Sequence, residues 1–343
     1  MRVRLGDYIK EYSVKNKNNE DIPVYSVSNS LGFCKDYFGK EVASKNKATY
    51  KIVPRGCFAY NPSRINVGSV DWQNEEERVI VSPLYNVFSV SPLLDQQYLL
   101  YYLKSNVTQS RIRAVASGSV RDNLKLSMLY EFPIDLISLE QQYDIVSTLN
   151  VVQKIIDLYQ KELSSLDELV RARFVEMFGE IEDCDKWKSK IWNEVVTIQN
   201  GRDYKKVLVS DGGYPVVGTG GEIARSSGYL CPENTIVVGR KGSINNPMLM
   251  REKFWNVDTA FGVIPNSDYL HYQYFYYFCK FYNFMKLNKA TTLPSTTKAD
   301  LLKIRINIPP LELQNQFASF VEEIDKSRLL SNHSLFLLKS ITF

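Results

Sequence analysis

Two phrases, "PIDLISLEQQYDIV" (Pro133–Val146) and "RINIPPLELQNQFASFV" (Arg305–Val321), say nearly the same thing twice. Glu140 and Glu312 hold the same place in them, 172 residues apart, about half of the 343-residue chain. Each phrase opens with the two-residue alternation of a strand and passes into apolar residues every three or four, the period of a helix. Two strand-to-helix junctions at that separation suggest a duplicated unit.

The repeat extends outward in both directions. Upstream of each junction lies an aromatic helical pattern, "DQQYLLYYLKS" (Asp95–Ser105) and "YLHYQYFYYFCKF" (Tyr269–Phe281). Before those come β-branched runs, "ERVIVSPLYNVFSV" (Glu77–Val90) and "KFWNVDTAFGVI" (Lys253–Ile264). Earlier still, "KIVPRGCFAYNPSR" (Lys51–Arg64) and "YLCPENTIVVGRKGS" (Tyr229–Ser243) each read as a turn, a short strand and a polar loop. A Gly/Ser/Thr-rich loop follows each aromatic helix, "ASGSVRDNL" (Ala116–Leu124) and "ATTLPSTTK" (Ala290–Lys298). The same features in the same order, at low identity, mark an internal duplication.

Downstream of the first junction, apolar residues fall at Ile145, Leu149, Val152, Ile156, Tyr159, Leu163, Leu166 and Val170. That 4-3 spacing is the seam of a coiled coil, with Lys154, Lys161, Glu162 and Asp167 off it. A helix from Glu140 to a C-cap at Gly179 would be on the order of 60 Å long. The second helix starts near Leu311 and carries the seam at Phe317, Val321 and Ile324, then weakens at Arg328 and Ser331 before Leu335 and Leu338. The expected fold is α+β: two pseudo-repeated mixed domains (1–138 and 181–310), each followed by a helix (139–180 and 311–343). The helices are expected to pair antiparallel and to separate the domains.

Composition narrows the chemistry. The net charge is +4, and 44% hydrophobic with 23% charged residues is ordinary for a globular chain. The five cysteines are scattered and never spaced CxxC, so reduced thiols in a cytoplasmic protein are expected, without disulfides or zinc. Two histidines, His271 and His333, leave little for metal hydrolysis or imidazole acid–base catalysis. The opening "MRVRLGDYIKEY" has no apolar run of a secretory signal. The apolar stretch Tyr269–Met285 is interrupted by His271, Gln273, Lys280 and Asn283, so no membrane span is expected. "GRKGS" (Gly239–Ser243) has the wrong spacing for a phosphate-binding loop, and "GTGGEI" (Gly218–Ile223) lacks the third glycine of a dinucleotide fingerprint. "YNPS" and "IPPL" fall short of the Asn-Pro-Pro-aromatic motif of amino-methyltransferases. Asp95, Glu131 and Asp135 form no recognisable nuclease set and are expected at the solvated surface.

What remains is recognition, with no catalytic residue and no cofactor on this chain. The loops hold donors suited to phosphates and base edges. In the first copy these are Arg55, Asn61, Ser63, Arg64, Asn66, Ser117, Ser119, Arg121 and Asn123. In the second they are Thr219, Arg225, Ser226, Arg240, Lys241, Ser243, Asn245 and Asn246, then Thr291, Thr292, Ser295, Thr296 and Lys298. Each alone is as well explained as a solvated loop residue; the recurrence in both copies points to double-stranded DNA.

With the duplication, the paired helices and the junction in hand, the chain resembles the specificity subunit of type I restriction–modification systems over essentially its whole length. The stretches carrying the resemblance are Leu139–Gly179, closing on "MFG", and "TLPSTTKADLLKIRINIPPLELQNQFASFVEEID" (Thr292–Asp325). The first copy departs from the pattern with Ile137-Ser138 where the second has Pro309-Pro310. The resemblance implies a non-enzymatic adaptor whose two target-recognition domains each read half of a bipartite site, with the helices as a ruler. Domains about one helical turn apart (~34–36 Å) address one face of a duplex. It further implies two methyltransferase subunits supplying S-adenosylmethionine chemistry, and ATP-dependent restriction subunits. A type IIB specificity subunit shares this plan; a nuclease or methyltransferase with an unrecognised site is the competing class.

Overall fold

The computed structural model describes residues 1–35, 47–116, 123–181, 186–289 and 292–342. The chain divides into two compact units, Met1–Tyr159 with Ser334–Phe343, and Gln160–His333.

In the first unit, strands Ile9–Glu11, Asn86–Val90, Phe58–Tyr60 and Val70–Trp72 lie side by side in that order, all antiparallel. In the second, Val196–Asn200, Ala260–Pro265, Thr235–Gly239 and Met248–Met250 take the corresponding places. The order is non-sequential, so its recurrence identifies two copies of one topology. The aromatic helices bury their apolar faces as amphipathic helices must. Gln96–Lys104 sets Leu99, Leu100 and Leu103 into a core with Phe58, Tyr60 and Phe88, the Phe58 and Phe88 rings stacked 5.0 Å apart. Tyr272–Phe281 buries Tyr274, Phe275 and Phe278, with Trp192 edge-on to Phe275 at 5.1 Å.

A further pairing closes each copy. Arg2–Arg4 pairs antiparallel with Pro133–Asp135, and Ser189–Ile191 with Arg305–Asn307. The strand half of each repeated phrase is thus held by the first strand of its own copy. Among the described residues the copies diverge elsewhere: two two-stranded ribbons in the first unit (Tyr25–Ser28 with Gly32–Lys35, Lys51–Pro54 with Arg78–Val81), one four-stranded sheet in the second.

The helix half of each phrase opens a long helix, Leu139–Phe178 and Leu311–Thr342. Gly179, at φ 88°, ends the first in the left-handed conformation that glycine adopts without Cβ strain. Ile156, Val170, Phe317 and Val321 are buried, and Leu149, Val152, Tyr159, Leu163, Leu166 and Ile324 half-buried, as a seam requires. Within the second unit the two helices run antiparallel. Phe174 and Phe178 meet Phe317 edge-on at 5.6 and 5.4 Å, and Arg328 Nη2 pairs with Asp167 Oδ1 at 2.7 Å. Arg328 and the buried Ser331 occupy the weak stretch of the seam, the arginine satisfied by Asp167 and Asp325.

Ile145 departs from the expected seam and is 39% exposed, whereas Phe317, at the same place in the second copy, is fully buried. The difference lies in the cover. Phe317 is enclosed by the rings of Phe174, Phe178 and Tyr277.

Candidate nucleic-acid interface

The polar loops come together in the same way in both copies. In the first, the strand Phe58–Tyr60 runs into the loop Asn61–Gly68, and Leu124 N–H donates to Pro62 O at 3.1 Å. The Tyr60 hydroxyl donates to Leu124 O at 3.1 Å; burial raises its pKa far above the usual value, so it stays a donor. In the second, the strand Thr235–Gly239 runs into Arg240–Ser243, and Thr296 N–H donates to Arg240 O at 3.0 Å. The Thr296 hydroxyl donates to Gly239 O at 2.8 Å, and Gly242 N–H to Pro294 O at 2.9 Å. Leu124 and Thr296 stand 172 residues apart, the offset of the repeat. In each copy the end of the Gly/Ser/Thr-rich loop is therefore stitched at equivalent positions to the loop after the strand, making one edge.

That edge gathers Asn61, Ser63, Arg64, Asn66 and Asn123 in the first unit, and Arg240, Lys241, Ser243, Ser295 and Thr296 in the second. Ile65 is buried beneath the first loop and Ile244 beneath the second, fixing both backbones. Arg64, Lys241 and Ser243 are exposed, and Asn66 half-buried. Arg240 sits over the Phe261 ring at 5.9 Å and donates to Asp258 O at 3.3 Å. Thr292 is exposed on the second loop. Ser117, Ser119, Arg121 and Thr291 lie outside the described residues.

Other expected donors are engaged within the fold. Arg55 donates to the carbonyls of Glu75 and Glu76. Arg225 pairs with Glu222 at 2.8 Å, on the strand that leaves the Thr219 turn. Lys298 Nζ reaches Ile198 O at 2.7 Å, and Asn245 Oδ1 accepts Phe284 N–H at 2.8 Å. Asn61 Oδ1 accepts from Ser63 N–H at 3.1 Å, closing its own turn, and Ser226 Oγ ties Tyr214 O to Gly228 O. The carboxylates also have structural work. Asp95 caps a helix by accepting Tyr98 N–H at 2.8 Å, and Glu131 pairs with Arg4.

A further pair of residues in the repeated phrase went unread. Gln142 and Gln314, each fully buried, make matching hydrogen bonds. Gln142 Oε1 accepts Asp95 N–H at 2.8 Å, and its Nε2 donates to Leu93 O and Ile137 O at 3.0 and 2.9 Å. Gln314 Oε1 accepts His271 N–H at 2.7 Å, and its Nε2 donates to Tyr269 O and Pro309 O at 2.9 and 2.8 Å. Asp95 and His271 are the N-caps of the two domain helices. Each long helix is thereby fastened through one amide to the start of its domain helix and to the turn that follows the closing strand. The Tyr98 and Tyr274 hydroxyls add matching bonds to Asp135 O and Asn307 O at 3.1 and 2.9 Å.

Among the described residues no group of three or more His, Cys, Asp or Glu is placed to hold a metal ion, and no helix is long and apolar enough to cross a membrane. A doubled α+β unit with one polar two-loop edge per copy, each fastened to a long helix, is the build of a two-part recognition protein. Residues 4–168 and 184–335 match the family described as "Type I restriction modification DNA specificity domain". The chain belongs to this family, whose role is DNA sequence specificity in type I restriction–modification. In fold it is similar to the type I restriction–modification system S subunit from M. genitalium, at 15% identity and TM-score 0.58, covering 100% of this chain and 93% of that one. It is also similar to a chain from a structure of complex assembly and conformational transition of the type I R-M system, at 16% identity and TM-score 0.62, covering 100% and 95%.

Proposed function

We propose that each unit reads one half of a bipartite duplex site through its two-loop edge, and that the two long helices set the gap. The observation carrying this is the matched stitching of the loops, Pro62 to Leu124 and Arg240 to Thr296, on sheets of identical strand order. Arg64, Asn66 and Asn123 in one copy, and Arg240, Lys241, Ser243, Thr292 and Ser295 in the other, are the side chains assigned to DNA. Arginine and asparagine there can make the bidentate contacts that distinguish guanine and adenine. The chain carries no catalytic centre in this reading. Methyltransferase subunits, two per chain, dock on the helices and bring S-adenosylmethionine, and ATP-dependent restriction subunits join them in a prokaryotic cytoplasm.

The test is methylome sequencing of cells carrying this chain with its methyltransferase. A split motif is expected, and exchanging residues 1–130 for another member's domain should change one half of it. Change of both halves together, or methylation by the purified chain with S-adenosylmethionine alone, overturns the reading.

A further inference from the structure

The second unit contains an arginine outside the two loops of its polar edge whose backbone is clamped while its side chain is left in solvent. Arg202 follows the strand Val196–Asn200. Its N–H donates to Asn256 O at 3.0 Å, and its carbonyl accepts from the Trp255 indole Nε1 at 3.0 Å. The preceding Gly201 permits this approach, because a Cβ there would stand 1.8 Å from Val257 O. Asn256 is fully buried: its Nδ2 donates to Gln199 O and Ala260 O at 3.2 and 3.1 Å, and its Oδ1 accepts from Cys231 Sγ at 3.4 Å.

The same short stretch holds the recognition loop. Arg240 N–H donates to Thr259 O at 2.8 Å and Arg240 Nη1 to Asp258 O at 3.3 Å. Residues 256 to 259 span at most ~11 Å, so Arg202 and Arg240 hang from one rim. Among the described residues of this unit, Arg202 is the arginine whose guanidinium has no hydrogen bond, ion pair or ring contact. Arg171, Arg173, Arg225, Arg240, Arg251, Arg305 and Arg328 all have one. A merely solvated arginine needs neither a clamp on both backbone groups nor a glycine before it. Asp203 turns its carboxylate back onto Lys205 N–H at 3.0 Å, and Asp258 is exposed on the rim, so the rim is not a uniform cationic patch.

We propose that Arg202 grips a backbone phosphate of the duplex beside the bases addressed by the Arg240–Ser243 loop, fixing register without reading sequence. This rests on the DNA-reading assignment above. Phosphate contacts position a protein on DNA, and the guanidinium fork suits them.

The experiment measures binding of the full chain to a fluorescent random-sequence duplex across a salt series, for wild type, Arg202→Ala, Arg202→Lys and Arg173→Ala. Losing one phosphate contact should shrink the slope of log affinity against log salt by ~0.9. Arg202→Lys should restore it, Arg173→Ala should leave it unchanged, and the methylated motif in cells carrying Arg202→Ala should stay the same. An unchanged slope in Arg202→Ala, or an equal change in Arg173→Ala, overturns the phosphate contact while leaving the DNA reading intact. An altered motif overturns it in favour of base reading. Absence of salt-dependent binding by the wild type removes the DNA reading and this contact with it.

Discussion

Replacing Gln314 by alanine isolates the fastening between the second domain and its long helix. The substitution deletes three hydrogen bonds, from His271 N–H and to Tyr269 O and Pro309 O. A net hydrogen bond is worth about 1 kcal/mol, and a buried partner left unsatisfied costs about 1–3 kcal/mol. The three together should cost about 2–4 kcal/mol, with water entering the vacated space toward the lower end. Gln314→Glu should cost at least as much at neutral pH, since a carboxylate keeps the accepted bond, loses both donated ones and faces two carbonyl oxygens. Three of the four tryptophans, Trp187, Trp192 and Trp255, fall in the second unit, so urea unfolding followed by tryptophan fluorescence reports mainly on it. The exposed Gln316 supplies the control, for which a change within about 0.5 kcal/mol is expected. A loss below about 1 kcal/mol for Gln314→Ala, or one equal to Gln316→Ala, would refute the fastening.

Phe317→Ala should destabilise the second unit by about 3–5 kcal/mol, whereas Ile145→Ala at the matching place in the first copy should cost under about 1 kcal/mol; both are read by urea unfolding. His271 Nδ1 accepts Gln273 N–H at 3.2 Å, which requires neutral imidazole, and burial lowers its pKa below the ordinary 6.5. The unfolded chain then binds this proton more readily, so the stabilisation is full above pH 6.5 and is lost as pH falls through the folded value. Thermal scans should show the second unit weakening on acidification, with His271→Asp, the residue type of the Asp95 cap, removing that step. Gln273 is fully buried with both side-chain polar atoms unpartnered, so Gln273→Met should raise stability by about 1 kcal/mol in the same unfolding assay.

The duplication and the long helices were legible because they are written in local period and order: Glu140 and Glu312 mark the junctions, and both long helices begin one residue before them. The strand order was not, since pairing Ile9–Glu11 with Asn86–Val90 is a contact across the whole domain that no window of sequence contains. Gln142 and Gln314 were visible as a shared letter in "LEQQ" and "LELQ", but a glutamine on a helix reads as solvated until its partners are known. One signal was available: Gln142 sits three residues before Ile145, continuing the seam backwards with a polar residue. The loop donors show the same limit from the other side. Lys298 and Lys241 look alike in sequence; the carbonyl of Ile198, a hundred residues away, separates them. Ile145 matched the heptad but not the exposure, because burial depends on what packs over a position, as Phe174, Phe178 and Tyr277 do over Phe317.

The glutamine fastening touches its domain through main-chain atoms alone: Leu93 O, Asp95 N–H and Ile137 O in one copy, Tyr269 O, His271 N–H and Pro309 O in the other. A socket of peptide groups is indifferent to the side chains around it, which is why aspartate can stand in one copy where histidine stands in the other. Any domain that brings two carbonyls and one amide to that corner fits the same peg. Such a joint lets the reading surface diversify, or be exchanged whole between relatives, without a compensating change in the helix that carries it.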